Sequence, residues 1–151
     1  MAELILKSKS AFQTKKFASF LAKEIVKSPA HKTLVLALEG NLGSGKTTFT
    51  QGFARSLGVK ENVLSPTFVL MKIYEIKRKS YKHLIHIDCY RVESPRELSH
   101  LGFKKILKDK DAIILIEWAD RIKKLIPRDA VRIKFKHGNK KQERIIKISN
   151  L

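Results

Sequence analysis

Apolar positions along the chain alternate between compact runs of strand length and longer stretches with helical spacing. ELILKS (3–8) reads as a short edge strand. Over residues 11–27, Phe17, Phe20, Leu21 and Ile25 recur at helical spacing, and SPAH closes the segment. TLVLAL (33–38) is an unbroken apolar run, the pattern of a strand covered on both faces. Helical spacing returns over 46–57 through Phe49, Phe53 and Leu57, and Gly58 suits the position just past a helix end. TFVLMKIYEI and HLIHIDCY read as strands joined through the polar KRKSYK. SPRELSHLG is a compact helix signal: Ser94 caps, Pro95 opens, Glu97 closes a capping box and Gly102 stops it. AIILI (112–116) is a second buried strand, and VRIKFK and RIIKIS flank HGNKKQE as a basic antiparallel hairpin. With no repeat, low-complexity tract or linker in sight, the chain is expected to be a single domain over 1–151.

Between the first buried strand and the helix that follows lies GNLGSGKT, Gly40 to Thr47, which fits G-x-x-x-x-G-K-[ST] in full. Glycines remove Cβ atoms, so successive backbone N–H groups can curl around phosphate oxygens. The next helix adds its unpaired N–H groups and the positive end of its dipole. Gly40, Asn41, Leu42, Gly43, Ser44, Gly45, Lys46, Thr47 and Thr48 are therefore expected to hold a nucleoside triphosphate. Lys46 should reach the β- and γ-phosphates, the Thr47 hydroxyl should ligate Mg²⁺, and Thr48 should face the phosphates more loosely.

Such a cradle needs acidic partners, and two end apolar strands: Asp88 in HLIHIDCYR and Glu117 in AIILIEWAD. Open α/β sheets bind ligands at the carboxyl ends of their strands. Alternation puts Asp88 on the face of His86 and Leu84, and Cys89 with Ile85 and Ile87, which makes Cys89 a core residue rather than a nucleophile. His83 and His86 lack Cys or His partners at zinc-ligand spacing.

Charge is the unusual quantity. Lysine and arginine number 32 against 14 acidic residues, a net charge of +18. That excess favours polyanionic partners, although the basic residues are dispersed and equally fit a set of solvated faces. The single cysteine excludes an internal disulfide framework and fits a reducing compartment. No run reaches the length of a membrane span, and MAELILKSKS has no signal-peptide apolar region. A cytoplasmic protein without membrane partners is expected.

Taken in order, GNLGSGKTTFTQGFARSLG, SPTF, HIDCYRVESPRELSHLGF and LIEWAD resemble the TsaE (YjeE) ATPases, which support formation of threonylcarbamoyladenosine in tRNA. The resemblance runs from about Gly40 to Asp120; Asn41, where the family often has Asp, and Ala119, often Pro, are minor departures. It implies a P-loop α/β sandwich of three layers, with a mixed sheet and an antiparallel C-terminal hairpin. It implies ATP and Mg²⁺ as cofactors, with Thr47 and Glu117 as metal ligands and Asp88, Thr67 and Lys46 as catalytic residues. Ser65-Pro66-Thr67 matches a switch-like segment, so Thr67 either senses the γ-phosphate or merely caps a strand. Trp118 covers the site, joins a partner or is a buried anchor, the last being favoured; Arg91 either neutralises phosphate or pairs with Glu93 or Glu97. The resemblance further implies action with a TsaB–TsaD complex, and contact with tRNA only indirectly through it.

Two other classes share some of these features. A P-loop small-molecule kinase would add an arginine-bearing lid, for which the Gly58–Pro66 connection is short and KRKSYK poor. A basic nucleic-acid-binding protein with secondary nucleotide binding would account for the charge, but no aromatic-basic stacking motif or helix-turn-helix signal is visible in the sequence.

Overall fold

The two compact apolar runs become neighbours at the centre of a seven-stranded sheet. In this computed structural model, residues 3–28, 32–64 and 70–151 are described. Ser65, Pro66 and Thr67, and with them the expected switch segment, lie outside the described residues. β2 (Leu34–Gly40) and β5 (Ala112–Glu117) pair in parallel, with Leu36 opposite Leu115 and Leu38 opposite Glu117. Every residue of β5 is buried, as expected of a strand covered on both faces. β4 (His83–Asp88) adds in parallel to β5, and β6 (Val131–His137) in parallel to β2. Antiparallel strands finish both sides: β3 (Met71–Glu75) beside β4, then β7 (Arg144–Ser149) beside β6 and β1 (Glu3–Ser8) beside β7. The order is β1-β7-β6-β2-β5-β4-β3. The mixed sheet, the edge position of β1 and the C-terminal hairpin all match expectation.

Strand alternation divides the core in two. Leu36, Leu38, Leu84, Ile113 and Leu115 pack against α1 (Ala11–Lys27) and α2 (Lys46–Ser56). Val35, Ala37, Ile85, Ile87, Ile114 and Ile116 pack under α3 (Arg96–His100), α4 (Phe103–Ile106) and the 3₁₀ turns over Ala119–Leu125. The result is three layers. The 3₁₀ turns had no signal in the apolar pattern.

α1 starts at Ser10, whose hydroxyl accepts from Gln13 N at 3.1 Å. Its buried stripe runs through Thr14, Ala18, Leu21 and Ala22, with Phe17 and Ile25 packed at the margins. Phe20 departs from expectation, being 67% exposed. It lies about 160° round the helix from Ala18, on the far flank of Phe17, so its spacing from Phe17 carries it away from the core. α2 crosses α1 at Gly52, where an added Cβ would stand 2.7 Å from Lys15 Cα. Only glycine permits that approach. In α3, Glu97 Oε2 accepts from Ser94 N at 3.1 Å, the expected reach-back of a capping box, and from Glu93 N at 2.8 Å. Among the described residues no helix is long and apolar enough to cross a membrane.

Candidate functional site

β2, β4 and β5 all end at one edge of the sheet, and each delivers one part of the site there. β2 ends at Gly40, where an added Cβ would lie 2.8 Å from the Phe135 carbonyl oxygen and 2.6 Å from Ser44 Oγ. The chain can turn away from β6 at this point only as glycine. Ser44 N then donates to Asn41 O at 3.1 Å and Phe49 N to Gly45 O at 2.9 Å, so α2 opens directly from the loop. Lys46 folds back over the loop: its ammonium donates to Gly40 O at 2.5 Å and Asn41 O at 3.0 Å, and stands 4.1 Å from the centre of the Trp118 ring. Burial draws the Lys46 ammonium below the ordinary lysine value, opposed by the charges of Glu117, Asp120 and Asp88.

The carboxylates arrive from the two strands beyond. Parallel pairing of β4 with β5 sets Asp88 opposite Glu117. Glu117 is 1% exposed. Its Oε1 accepts from Thr47 Oγ1 at 2.8 Å and its Oε2 from His86 Nε2 at 2.5 Å. A carboxylate only accepts, so Nε2 carries the hydrogen of that imidazole. Asp88 is 7% exposed and its Oδ1 accepts from Tyr90 N at 2.9 Å. The structure thus brings Lys46, Thr47, Asp88 and Glu117 into one site. It adds His86, which zinc-ligand spacing does not single out because its partner is a carboxylate on the neighbouring strand. The Thr47 hydroxyl and the two carboxylates are hard oxygen donors, a set suited to a hard divalent cation. Among the described residues there is no group of three or more His, Cys, Asp and Glu of the kind that holds a metal by itself.

These groups open onto a cavity of about 490 Å³. Leu42 to Thr48 form one wall, and Asp88, Tyr90, Glu117 and Trp118 a second. Gly40 and Asn41 instead border an adjoining cleft beside Trp118 and Asp120, meeting Lys46 through their carbonyls. The third wall is Ala11 and Thr14 of α1 with Gln142 and Arg144 of the C-terminal hairpin. Arg144 Nη2 donates to Gly43 O at 3.0 Å, tying the hairpin to the phosphate loop across 101 positions of sequence. No spacing rule links residues so far apart. The one available signal was the basic hairpin itself.

Trp118 is half-buried, not a buried anchor. Its backbone is left-handed (φ 57°), which turns the ring over Lys46, and Tyr90 packs beside it with centroids 5.0 Å apart. It therefore covers part of the site. Arg91 is exposed, and Glu97 directs its carboxylate to backbone N–H groups. Cys89 is fully buried with Ile85 and Ile87, and burial pushes its thiol up to about 12. That is a core cysteine, as expected.

Comparison with known proteins agrees with this arrangement. Residues 8–146 match the family of the threonylcarbamoyl adenosine biosynthesis protein TsaE. The tRNA threonylcarbamoyladenosine biosynthesis protein TsaE of Haemophilus influenzae is 34% identical over 116 residues, 77% of this chain and 71% of that protein. The proteins of the same name from Bacillus subtilis and Borreliella burgdorferi are each 39% identical, over 111 and 127 residues. Those matches span 74% and 83% of this chain, and 66% and 85% of the relatives. The crystal structure of Bacillus subtilis YdiB superposes with a TM-score of 0.75 at 31% identity, covering 97% of this chain and 84% of that one. The chain belongs to the TsaE family, and its role lies in tRNA threonylcarbamoyladenosine biosynthesis.

Proposed function

We propose that the chain works as a single-domain, Mg²⁺-dependent ATPase that assists a TsaB–TsaD complex in modifying tRNA. The observation that carries this reading is the 2.8 Å hydrogen bond from Thr47 Oγ1 to Glu117 Oε1. It sets the hydroxyl at the head of α2 beside a carboxylate at the end of β5, directly under the phosphate loop. Thr47 and Glu117 would hold Mg²⁺, which when bound neutralises charge on the β- and γ-phosphate oxygens. The loop N–H groups and the start of α2 receive the phosphates, as a helix N-terminus does for anions. Lys46, held by the loop carbonyls, is the positive side chain placed to join them. Asp88 stands opposite Glu117 with its carboxylate at the strand end, placed to orient the attacking water. His86 fixes the rotamer of Glu117 from behind, leaving Oε1 for Thr47 and the metal.

Covering the site are Trp118 and Tyr90, surface side chains that a docked partner can reorder. ATP hydrolysis would then report, and depend on, the state of that partner. Steady-state ATP hydrolysis measured with and without a TsaB–TsaD pair tests this. The rate should rise several-fold with the pair present. Fast turnover alone, with phosphate appearing on a small acceptor, would contradict it and favour a kinase.

A further inference from the structure

The exposed side of α1 alternates aromatic and basic side chains. Phe12 and Phe20 are each 67% exposed, and Lys16 and Lys23 lie exposed between and beside them on the same side of the helix. Lys16 Nζ stands 5.0 Å from the Phe12 ring centre. A groove of about 700 Å³ runs alongside, bordered by Phe12, Lys16 and Lys23 and across it by Arg55 of α2. The acid in its lining is Glu61, whose carboxylate is 4.0 Å from Lys72 Nζ; the acid on α1, Glu24, pairs with Lys27. The groove is therefore positive, with the Phe12 ring at its border and the exposed Phe20 ring just outside its lining, about 12 Å further along the helix.

We infer that this face of α1 binds an unpaired stretch of RNA, with bases stacked on Phe12 and Phe20 and phosphates along Lys16, Lys23 and Arg55. Single-stranded nucleic acid is held by this combination of aromatic platforms and a basic groove. A protein partner fits less well, because the cores of protein interfaces are depleted in lysine. The net charge of +18 works in the same direction. The surface lies outside the nucleotide cavity, so this inference stands apart from the ATPase reading.

Fluorescence anisotropy of the full chain with a short labelled oligouridylate and with an unmodified tRNA transcript, without ATP, tests it. Phe12→Ala/Phe20→Ala should weaken both by about tenfold or more. Phe20→Trp should keep wild-type affinity, and Phe20→Leu should lose as much as Phe20→Ala, because leucine has no face on which a base can stack. Lys16→Ala/Lys23→Ala should reduce the slope of log affinity against log salt by about 1.4. Lys104→Ala/Lys105→Ala, on α4 in the opposite layer, removes the same charge and should change affinity little. ATP hydrolysis should be the same in every variant. Equal losses in the α4 pair would overturn the site in favour of diffuse charge. Wild-type RNA affinity in Phe20→Leu, or in the double phenylalanine variant with loss of stimulation by a TsaB–TsaD pair, would overturn it in favour of a protein contact.

Discussion

His86 Nε2 lies 2.5 Å from Glu117 Oε2, and their side chains are 0% and 2% exposed. The register that pairs His86 with Leu115 and Asp88 with Glu117 puts the imidazole one step behind the carboxylate on the same face of the sheet. Glu117 Oε1 therefore accepts from Thr47 above, and Oε2 from His86 below with a longer bond from Thr50 Oγ1 at 3.4 Å. Removing His86 should leave Oε2 with only the longer bond from Thr50 and so loosen the carboxylate. His86→Ala should lower Mg²⁺-dependent ATP affinity by about tenfold or more, and stability by on the order of 1–3 kcal/mol. A magnesium titration of labelled-ATP binding, beside a melting curve, reads both. His86→Gln, whose amide still donates, should recover much of the metal dependence; destabilisation with unchanged metal dependence would make His86 purely structural.

The paired carboxylates should separate by kinetics. Glu117→Gln keeps the shape and removes the charge, so Mg²⁺-dependent nucleotide affinity should fall. Asp88→Asn should reduce turnover more than binding. Measuring kcat and Kd for both variants settles the assignment, and the reverse pattern would exchange their roles.

Arg144 should act through the phosphate loop. Its guanidinium donates to the carbonyls of Gly43, Lys141 and Glu143 at 3.0, 2.8 and 2.8 Å. Arg144→Ala should weaken ATP binding by roughly tenfold, the equivalent of one charge-assisted hydrogen bond. Arg144→Lys should not restore it, since a compact ammonium lacks the planar fork of donors. Isothermal calorimetry checks this, and wild-type affinity in Arg144→Ala would remove the hairpin from the site.

Much of this site was legible because its parts sit on local signals. The phosphate loop lies between a compact apolar run and a helical repeat, and Asp88 and Glu117 each close a buried strand. Their meeting needed only that those strands run parallel. The interactions that escaped are those between distant segments. His86 pairs diagonally across to β5, a relation set by register, and Arg144 reaches Gly43 only because β7 returns along β6. Phe20 escaped for another reason. Helical spacing says which residues share a side, but not how wide the covered stripe is, and the stripe on α1 ends at Phe17. Of the roles open to Trp118, the buried anchor gives way to a cover because the left-handed backbone, which nothing in the residue type announces, turns the ring over the site.

Cys89 should be inert in the folded protein. Burial, with the neighbouring Asp88 charge adding to it, raises its thiol from the ordinary 9.0 to about 12. At pH 8 the native thiol should react slowly with iodoacetamide and the denatured chain quickly. Because the folded value is the higher one, this group's contribution to stability is complete below about pH 9 and is lost as pH rises toward 12. Cys89→Ala should leave ATP hydrolysis intact; fast native alkylation would contradict the burial.

Repeated rounds of tRNA modification provide the most direct measurement of whether ATP hydrolysis in this loop drives the pathway. A TsaB–TsaD pair, substrate tRNA, ATP and Mg²⁺ are combined with either the wild-type chain or Lys46→Ala, and modified tRNA is counted per complex. Lys46→Ala removes the only ammonium seated within the loop and should abolish triphosphate binding. With the wild-type chain, product should accumulate over many turnovers; with Lys46→Ala it should stop after about one. Sustained multiple turnover with a Lys46→Ala chain that hydrolyses no ATP would contradict the account.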